Sequence, residues 1–347
     1  MSASPTPALQ RAIRQLAAGA SLSEQESREA FGVVMAGEAT SAQIAALLVG
    51  LRVKGETSDE VAGAADAMRG AMVRLPWAEP GELVDTCGTG GGAVNTFNIS
   101  TAAALLTAGL GVRVAKHGNR SFTSQCGSAD VLEALGVAID VPVEVMERAL
   151  RDAGVVFMFA PLMHPAMRHV GPVRRELAIQ TVMNVVGPLA NPAGAGRQVV
   201  GVSDARRVPL IAGALRALGS IHALVVHGEP GMDEISPLGT THVVEIRDGT
   251  TREWTIDPVR YGFGVASAEE LAGGSPAQNA AVIEAVLEHR ASPTATAAVL
   301  LNAAGALYVA PDGPSDFGDA IASARAGLRD GVGMAALERL RAAYSAA

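Results

Sequence analysis

The sequence predicts an α/β protein with a small N-terminal all-helical domain and a large α/β domain built on a mostly parallel central sheet. Three observations carry that expectation. Residues 8–72 show helical apolar spacing and contain no strand candidate. From residue 83 onward short apolar runs alternate with helical stretches, the pattern of a parallel sheet covered on both faces. Apolar residues make up 49% of the 347 but aromatics only 3%, so alanine, valine and leucine must fill the core, which suits helices laid closely on one another or on a sheet.

In the first domain three capping boxes mark helix starts: Ser23 with Glu26, Thr40 with Gln43, and Thr57 with Glu60. Behind them follow Phe31/Val34/Met35, Ile44/Leu47/Leu48/Leu51 and Val61/Ala64/Ala65/Met68, each on one helix face, with breaks near Gly37 and Gly55. The domain boundary is expected at 74/75, with helices from about 165–186 packing back onto the first domain and 75–347 forming the second. Strands are expected at 83–85, 112–115, 155–159, 198–202, 222–227 and 242–246, with helices between most of them; the last seventy residues return to alanine-rich helix.

The formal net charge of −8 argues against non-specific nucleic-acid binding, which rewards a cationic surface. The longest apolar run, 102–112, is far shorter than the roughly 20 residues a membrane span needs. Two cysteines, Cys87 and Cys126, are too few for a disulfide framework, and no signal peptide precedes them; the expected address is the cytoplasm.

Three stretches carry chemistry. The first, VDTCGTGGGAVNTFNIS at 84–100, places four glycines at 88–92 after a strand, then Asn95, Asn98 and Ser100. Glycines permit positive φ and close backbone approach, so that several N–H groups can point at one anion. A bare strand-to-helix turn has the same composition. The dinucleotide fingerprint fits poorly, because the helix begins late and the next strand ends in Lys116-His117 where a ribose-binding acid belongs. No Gly-Lys-Ser/Thr follows for a Walker loop. An anion site of backbone N–H groups with Asn98, Ser100 and Thr101 at a helix N-terminus remains.

The second stretch, VAKHGNRSFTSQCGSAD at 114–130, brings Lys116, His117, Asn119, Arg120, Ser121, Thr123, Ser124 and Ser128 directly after a buried strand. Lys116 suits a point charge on phosphate and the hydroxyls suit its oxygens. A solvated connector is the bland reading. The third, HGEPGMDEIS at 227–236, carries Asp233-Glu234 on a glycine turn; alone such acids are a wet surface, but beside a phosphate cradle they suit Mg²⁺. All three loops follow strand carboxyl ends, where open α/β sheets place ligands.

Six motifs in order, GTGG (88–91), NTFNIST (95–101), KHGNRS (116–121), HPAM (164–167), GPLANP (187–192) and HGxxGxDExS (227–236), resemble the anthranilate phosphoribosyltransferase family, and the similarity runs from residue 37 to about 309. The resemblance implies a helical domain joined through hinges to a nucleoside phosphorylase/phosphoribosyltransferase-like α/β domain, and a homodimer formed through the helical part. It implies transfer of a phosphoribosyl group from phosphoribosyl diphosphate to the amine of anthranilate. It places the phosphoribosyl diphosphate on Gly88, Gly91, Gly92, Thr96, Asn98, Ile99, Ser100, Thr101, Lys116, Asn119, Arg120, Ser121, Thr123, Ser124 and Ser128. Anthranilate would meet Gly88, Asn119, His164 and Arg174, with Mg²⁺ on Ser100, Asp233 and Glu234. Lys116 and His117 are the candidates for catalysis, His117 by steering the amine or taking its proton late. His164 is expected to open a helix with Pro165 at its first position, where a capping role competes with substrate contact.

Departures from the family pattern are Gly92, where Asp is usual, and Ala178, Gln180 and Met183, where Gly, Arg and Phe are common. The missing carboxylate at 92 leads us to expect weak inhibition by excess Mg²⁺. Two rivals stay open from the sequence: a pyrimidine nucleoside phosphorylase-like enzyme, and a non-catalytic relative that binds nucleic acid through a basic groove.

Overall fold

The computed structural model describes residues 6–121 and 125–345. The chain forms two compact units: Met1–Arg74 with Pro161–Pro192 and Pro209–Gly219, and Leu75–Ala160 with Ala193–Val208 and Ser220–Ala347. The sequence does not announce the third piece of the first unit, Pro209–Gly219, because its helix has the same apolar composition as those that cover the sheet.

The first unit begins with four helices, α1 (Thr6–Ala17), α2 (Glu24–Met35), α3 (Ser41–Lys54) and α4 (Ser58–Gly70). All three capping boxes form, each with the side-chain oxygen of Ser23, Thr40 or Thr57 accepting from the N–H three residues on. Glu60 does more than cap. Its buried carboxylate accepts from Leu22 N (2.8 Å), Thr57 N (2.8 Å) and Lys54 Nζ (2.9 Å), tying three helix ends together. The helix Met167–Leu177 belongs to the same unit. It starts at Met167, so Pro165 lies in the turn before it and His164 does not open it; Met167 N closes that turn on His164 O at 3.0 Å.

The second unit holds a seven-stranded sheet of order β3-β2-β1-β4-β5-β6-β7. The strands are β1 (Val84–Gly88), β2 (Val114–Gly118), β3 (Val155–Phe159), β4 (Arg197–Gly201), β5 (His222–Gly228), β6 (Thr241–Arg247) and β7 (Thr250–Ile256). The pairings from β3 across to β5 are parallel, and β6 and β7 run antiparallel. The strands β1 and β2 extend three residues beyond the apolar runs at 83–85 and 112–115, to Gly88 and Gly118. The sequence reading missed β7, whose TTREWTI faces solvent for most of its length. A two-residue Asp248-Gly249 turn, both at positive φ, joins it to β6.

Helices α5 (Ile99–Gly109) and α6 (Ser128–Ala134) follow β1 and β2. α5 and the helix Pro293–Val309 are buried almost throughout, and their alanines allow the close packing that the composition demands. At the β3 edge the Tyr344 hydroxyl accepts from Phe157 N (3.0 Å) and donates to Phe157 O (2.8 Å), closing the outward backbone groups at the middle of the strand.

Candidate active site

Because β1, β2, β4 and β5 are parallel, the loops after Gly88, Gly118, Gly201 and Gly228 emerge on one rim of the sheet. The first and third chemical stretches meet there directly. Gly90 N donates to Asp233 Oδ2 at 2.8 Å, and Ala93 N to Gly231 O at 2.8 Å. Glycine is required for the approach: a Cβ on Gly201 would lie 1.7 Å from Asp233 O, and one on Gly88 2.6 Å from Asp233 Oδ2. Gly90 and Gly91 follow at φ 72° and 75°. The N–H groups of Gly91 and Gly92 have no acceptor among the described residues.

The N-terminus of α5 is organised differently from the sequence expectation. Ile99 N bonds to Phe97 O, Thr101 N to Asn98 O, and Ser100 N to the Glu234 carboxylate at 3.2 Å. The anion already at this helix end is thus a side chain of the protein, favoured there by the helix dipole. Ile99 and Thr101 are buried, and the Thr101 hydroxyl faces the interior with no partner among the described residues. Asn98 is held on both amide atoms, accepting from Asn279 Nδ2 (2.9 Å) and donating to Cys126 O (3.2 Å). The carbonyl of Thr96 is approached so closely by Gly273 that a Cβ there would sit 2.3 Å away.

Lys116 is also placed differently. It sits within β2 and is buried, and its Nζ donates to Thr86 O (2.5 Å) and Ser100 Oγ (3.2 Å), beneath the α5 terminus rather than out on a loop. Burial lowers its pKa, while the nearby Asp85, Cys87 and Glu234 side chains oppose that fall. Asp85, fully buried on β1, accepts from His117 N at 3.4 Å; the sequence reading passed over it. His117 is half-buried at the end of β2.

In the second stretch Arg120 is not an open cation. Its guanidinium bonds to Asp130 (2.8 Å) and Glu133 (2.5 Å) on α6 and lies 5.7 Å from the Phe159 ring, and those carboxylates raise its pKa. The acids were present in the sequence ten and thirteen residues on, without a signal that they would face back. Asn119 accepts from Arg120 N through Oδ1 (2.7 Å), Ser121 N donates to Asp130 (3.2 Å), and the Ser128 hydroxyl donates to Asn119 O (3.4 Å). Thr123 and Ser124 lie outside the described residues.

Burial raises the pKa of Asp233, against the lowering influence of Gly90 N–H. Burial and the Asp233 charge raise Glu234 to about 8, against Lys116 and Ser100 N–H. Two adjacent carboxylates so poorly compensated, next to the Ser100 hydroxyl, form a hard oxygen donor set that a divalent cation fits. Burial pushes the Cys126 thiol to about 11 and raises Cys87 as well, so neither is a thiolate nucleophile near neutral pH.

Of the acceptor candidates, Gly88 and Asn119 lie in the second unit and His164 and Arg174 in the first. His164 is buried, and loss of solvent pushes its pKa down to about 4, so it is neutral. Arg174 stands in the last turn of Met167–Leu177, half-buried, with burial lowering its pKa and no side-chain partner among the described residues.

Residues 80–334 match the glycosyl transferase family a/b domain, and residues 10–72 match the helical bundle domain of the same family. The chain is 49% identical to the anthranilate phosphoribosyltransferase of Herpetosiphon aurantiacus, over 92% of this chain and 94% of that one. It is 48% identical to that of Anaeromyxobacter sp. strain K, over 96% and 97%. The crystal structure of anthranilate phosphoribosyltransferase from Thermus thermophilus superposes with a TM-score of 0.89 at 41% identity, covering 96% of this chain and 99% of that chain. The Saccharomyces cerevisiae enzyme in complex with phosphoribosyl diphosphate and Mg superposes with a TM-score of 0.86 at 26% identity, covering 98% of each. With this identity and coverage along both units, the chain belongs to the anthranilate phosphoribosyltransferase family.

Proposed function

We propose that the protein transfers the 5-phosphoribosyl group of phosphoribosyl diphosphate to the amine of anthranilate, releasing diphosphate, as a step of tryptophan biosynthesis. One observation supports this most: two N–H groups without acceptors among the described residues, at Gly91 and Gly92, stand beside two half-buried, under-compensated carboxylates, Asp233 and Glu234. Such a rim can take an anion and a cation together, as a metal-chelated diphosphate requires.

In the reaction the bond from ribose C1 to the diphosphate oxygen breaks and a bond from C1 to the anthranilate nitrogen forms, the amine losing one proton. Positive charge grows on the sugar and negative charge on the leaving group. The aromatic amine already carries a free lone pair, so positioning and charge stabilisation are the work of the site. We assign the departing phosphates to Gly91 and Gly92 N–H, with Ser100, Asn119, Ser121 and Ser128 around them. Lys116 holds Ser100 Oγ and the β1 carbonyl in place and lends its charge from beneath. Ser100, Asp233 and Glu234 are the residues for Mg²⁺, whose chemistry is to neutralise charge on the diphosphate. Arg174, whose planar fork suits a carboxylate, is the residue for anthranilate, with His164 as a neutral neighbour in the same unit and His117 as the group nearest a proton-transfer role.

A homodimer through the helical unit belongs to the same reading and rests on the family resemblance. Residence in the cytoplasm accords with a biosynthetic family and two free cysteines. The test is incubation with anthranilate, phosphoribosyl diphosphate and Mg²⁺, following anthranilate fluorescence. Loss that needs all three components is expected; no loss with freshly folded protein sinks the assignment.

A further inference from the structure

The sheet has a second rim, opposite the first. There Arg197 opens β4, His222 opens β5, and Arg247 closes antiparallel β6 beside them. A solvent-open cleft of about 430 Å³ is lined by Arg197, His222, Arg247, Asp248, Tyr308 and Ser315. An adjoining cleft of about 520 Å³ shares Arg247, Tyr308 and Ser315 with it and adds Arg252. Much of that space is open to solvent, and the enclosed parts, about 110 and 250 Å³, have room for a small ion of a few heavy atoms.

The charges around these clefts are not equally available. Glu245 is fully occupied: His222 Nε2 (3.0 Å) and the Tyr308 hydroxyl (3.2 Å) reach Oε1, while Arg252 (2.7 Å) and the Trp254 indole N–H (2.9 Å) reach Oε2. Burial alone would raise its pKa, yet these partners hold it down to about 2. Arg252 is spent on that pair. Arg197 is not: its Nε and Nη1 donate to the neutral carbonyls of Gly81 (3.0 Å) and Val309 (2.8 Å), and its Nη2 has no acceptor among the described residues. Among the described residues the Arg247 guanidinium pairs with Asp248 alone, at 4.0 Å, with both side chains more than half exposed, a pair worth little in water. Asp248 and Asp312 also lie near Arg197 and oppose the fall in its pKa that burial causes, but both are exposed and neither is hydrogen-bonded to it. Two guanidinium groups therefore face one cleft beside the Ser315 hydroxyl.

We propose that this cleft is a binding site for a small carboxylate- or phosphate-bearing anion, held by Arg197 and Arg247. It is separate from the donor rim: β5 runs seven residues, His222–Gly228, between the two, about 20 Å of extended chain. Forked guanidinium donors match the paired oxygens that both anion types present.

Trp254 stands directly behind the wall of this site, its ring 6.0 Å from that of Tyr308 and its indole N–H on Glu245, and the chain has one other tryptophan, Trp77. In full-length Trp77→Phe protein, Trp254 emission reports the cleft alone. Titration with inorganic phosphate, and separately with succinate, at constant ionic strength should give a saturable change with half-saturation below about 1 mM for at least one of them. Saturation by phosphate alone assigns a phosphorylated ligand, by succinate alone a carboxylate. Adding Arg247→Ala, at an exposed position that burial does not need, should weaken the response about tenfold while anthranilate turnover stays unchanged. Failure of both anions to saturate, or saturation unaltered in both the Arg247→Ala and Arg197→Met proteins, overturns the site.

Discussion

The rim proposed for the donor and the residues proposed for the acceptor are built on opposite plans. At the rim Gly90 is already bonded to Asp233 and Lys116 to Ser100, and Glu234 fills the α5 terminus. In the first unit Arg174 has no side-chain partner among the described residues, and His164 is kept neutral by burial. Prewired groups hold a highly charged ligand in fixed geometry at little further ordering cost, whereas an unpaired cation in a half-buried setting is held ready for one small carboxylate. The contrast indicates where substitutions should act on rate and where on affinity.

The largest expected effect lies at the rim. Asp233→Asn or Glu234→Gln should lower kcat roughly a hundred- to a thousandfold, with part of the loss recovered by raising Mg²⁺. Steady-state kinetics at several Mg²⁺ concentrations checks this, and near-wild-type rates at low Mg²⁺ would contradict the prewired plan. Next comes stability. The unfolded chain protonates its histidine as pH falls through 6.5, but folded His164 resists until about 4. Its contribution is therefore full above pH 6.5 and is lost between 6.5 and 4, by about 3 kcal/mol. His164→Gln should flatten denaturation midpoints over that window; an unchanged slope means the imidazole is not the group that titrates.

A smaller effect is expected on the acceptor side. Arg174→Ala should raise KM for anthranilate roughly ten- to a hundredfold and leave that for phosphoribosyl diphosphate nearly constant. Equal rises for both substrates would erase the distinction between the two regions. The smallest concerns Gly92. A Cβ there would lie 3.1 Å from Asp233 Oδ1, so Gly92→Asp sets a third carboxylate beside the pair. Excess Mg²⁺ should then inhibit a few-fold more strongly than in the parent; superimposable Mg²⁺ titrations of the two proteins would remove the idea.

How much of this was legible depended on range. The capping boxes of α2, α3 and α4 are decided within four residues, and all three form. The apolar burst at 155–159 gives β3 its bounds. Strands that end at the rim were read too short, since Cys87, Gly88, His117 and Gly118 are chosen for the site and not for the core. The polar strand β7 was hidden by its exposed face, although its Asp248-Gly249 turn was a usable signal. Within the site, residue types and loops could be read, but not pairings across the fold. The Arg120 link to Glu133, Glu234 at the Ser100 N–H, and Asn279 holding Asn98 from 181 residues away all depend on packing that no local pattern encodes.

The Tyr344 hydroxyl on Phe157 has a bearing on how the chain keeps to itself. β3 is the outermost strand on its side, and VVFMF is an apolar, β-prone segment of the sort that recruits strands from other molecules. The opposite border is defended by the solvated charges of Arg252 and Glu253 on β7. On the β3 side the defence is a single phenol near the end of the chain, so a protein shortened by a few residues there, though it kept every residue of the ligand rim, would carry an adhesive margin.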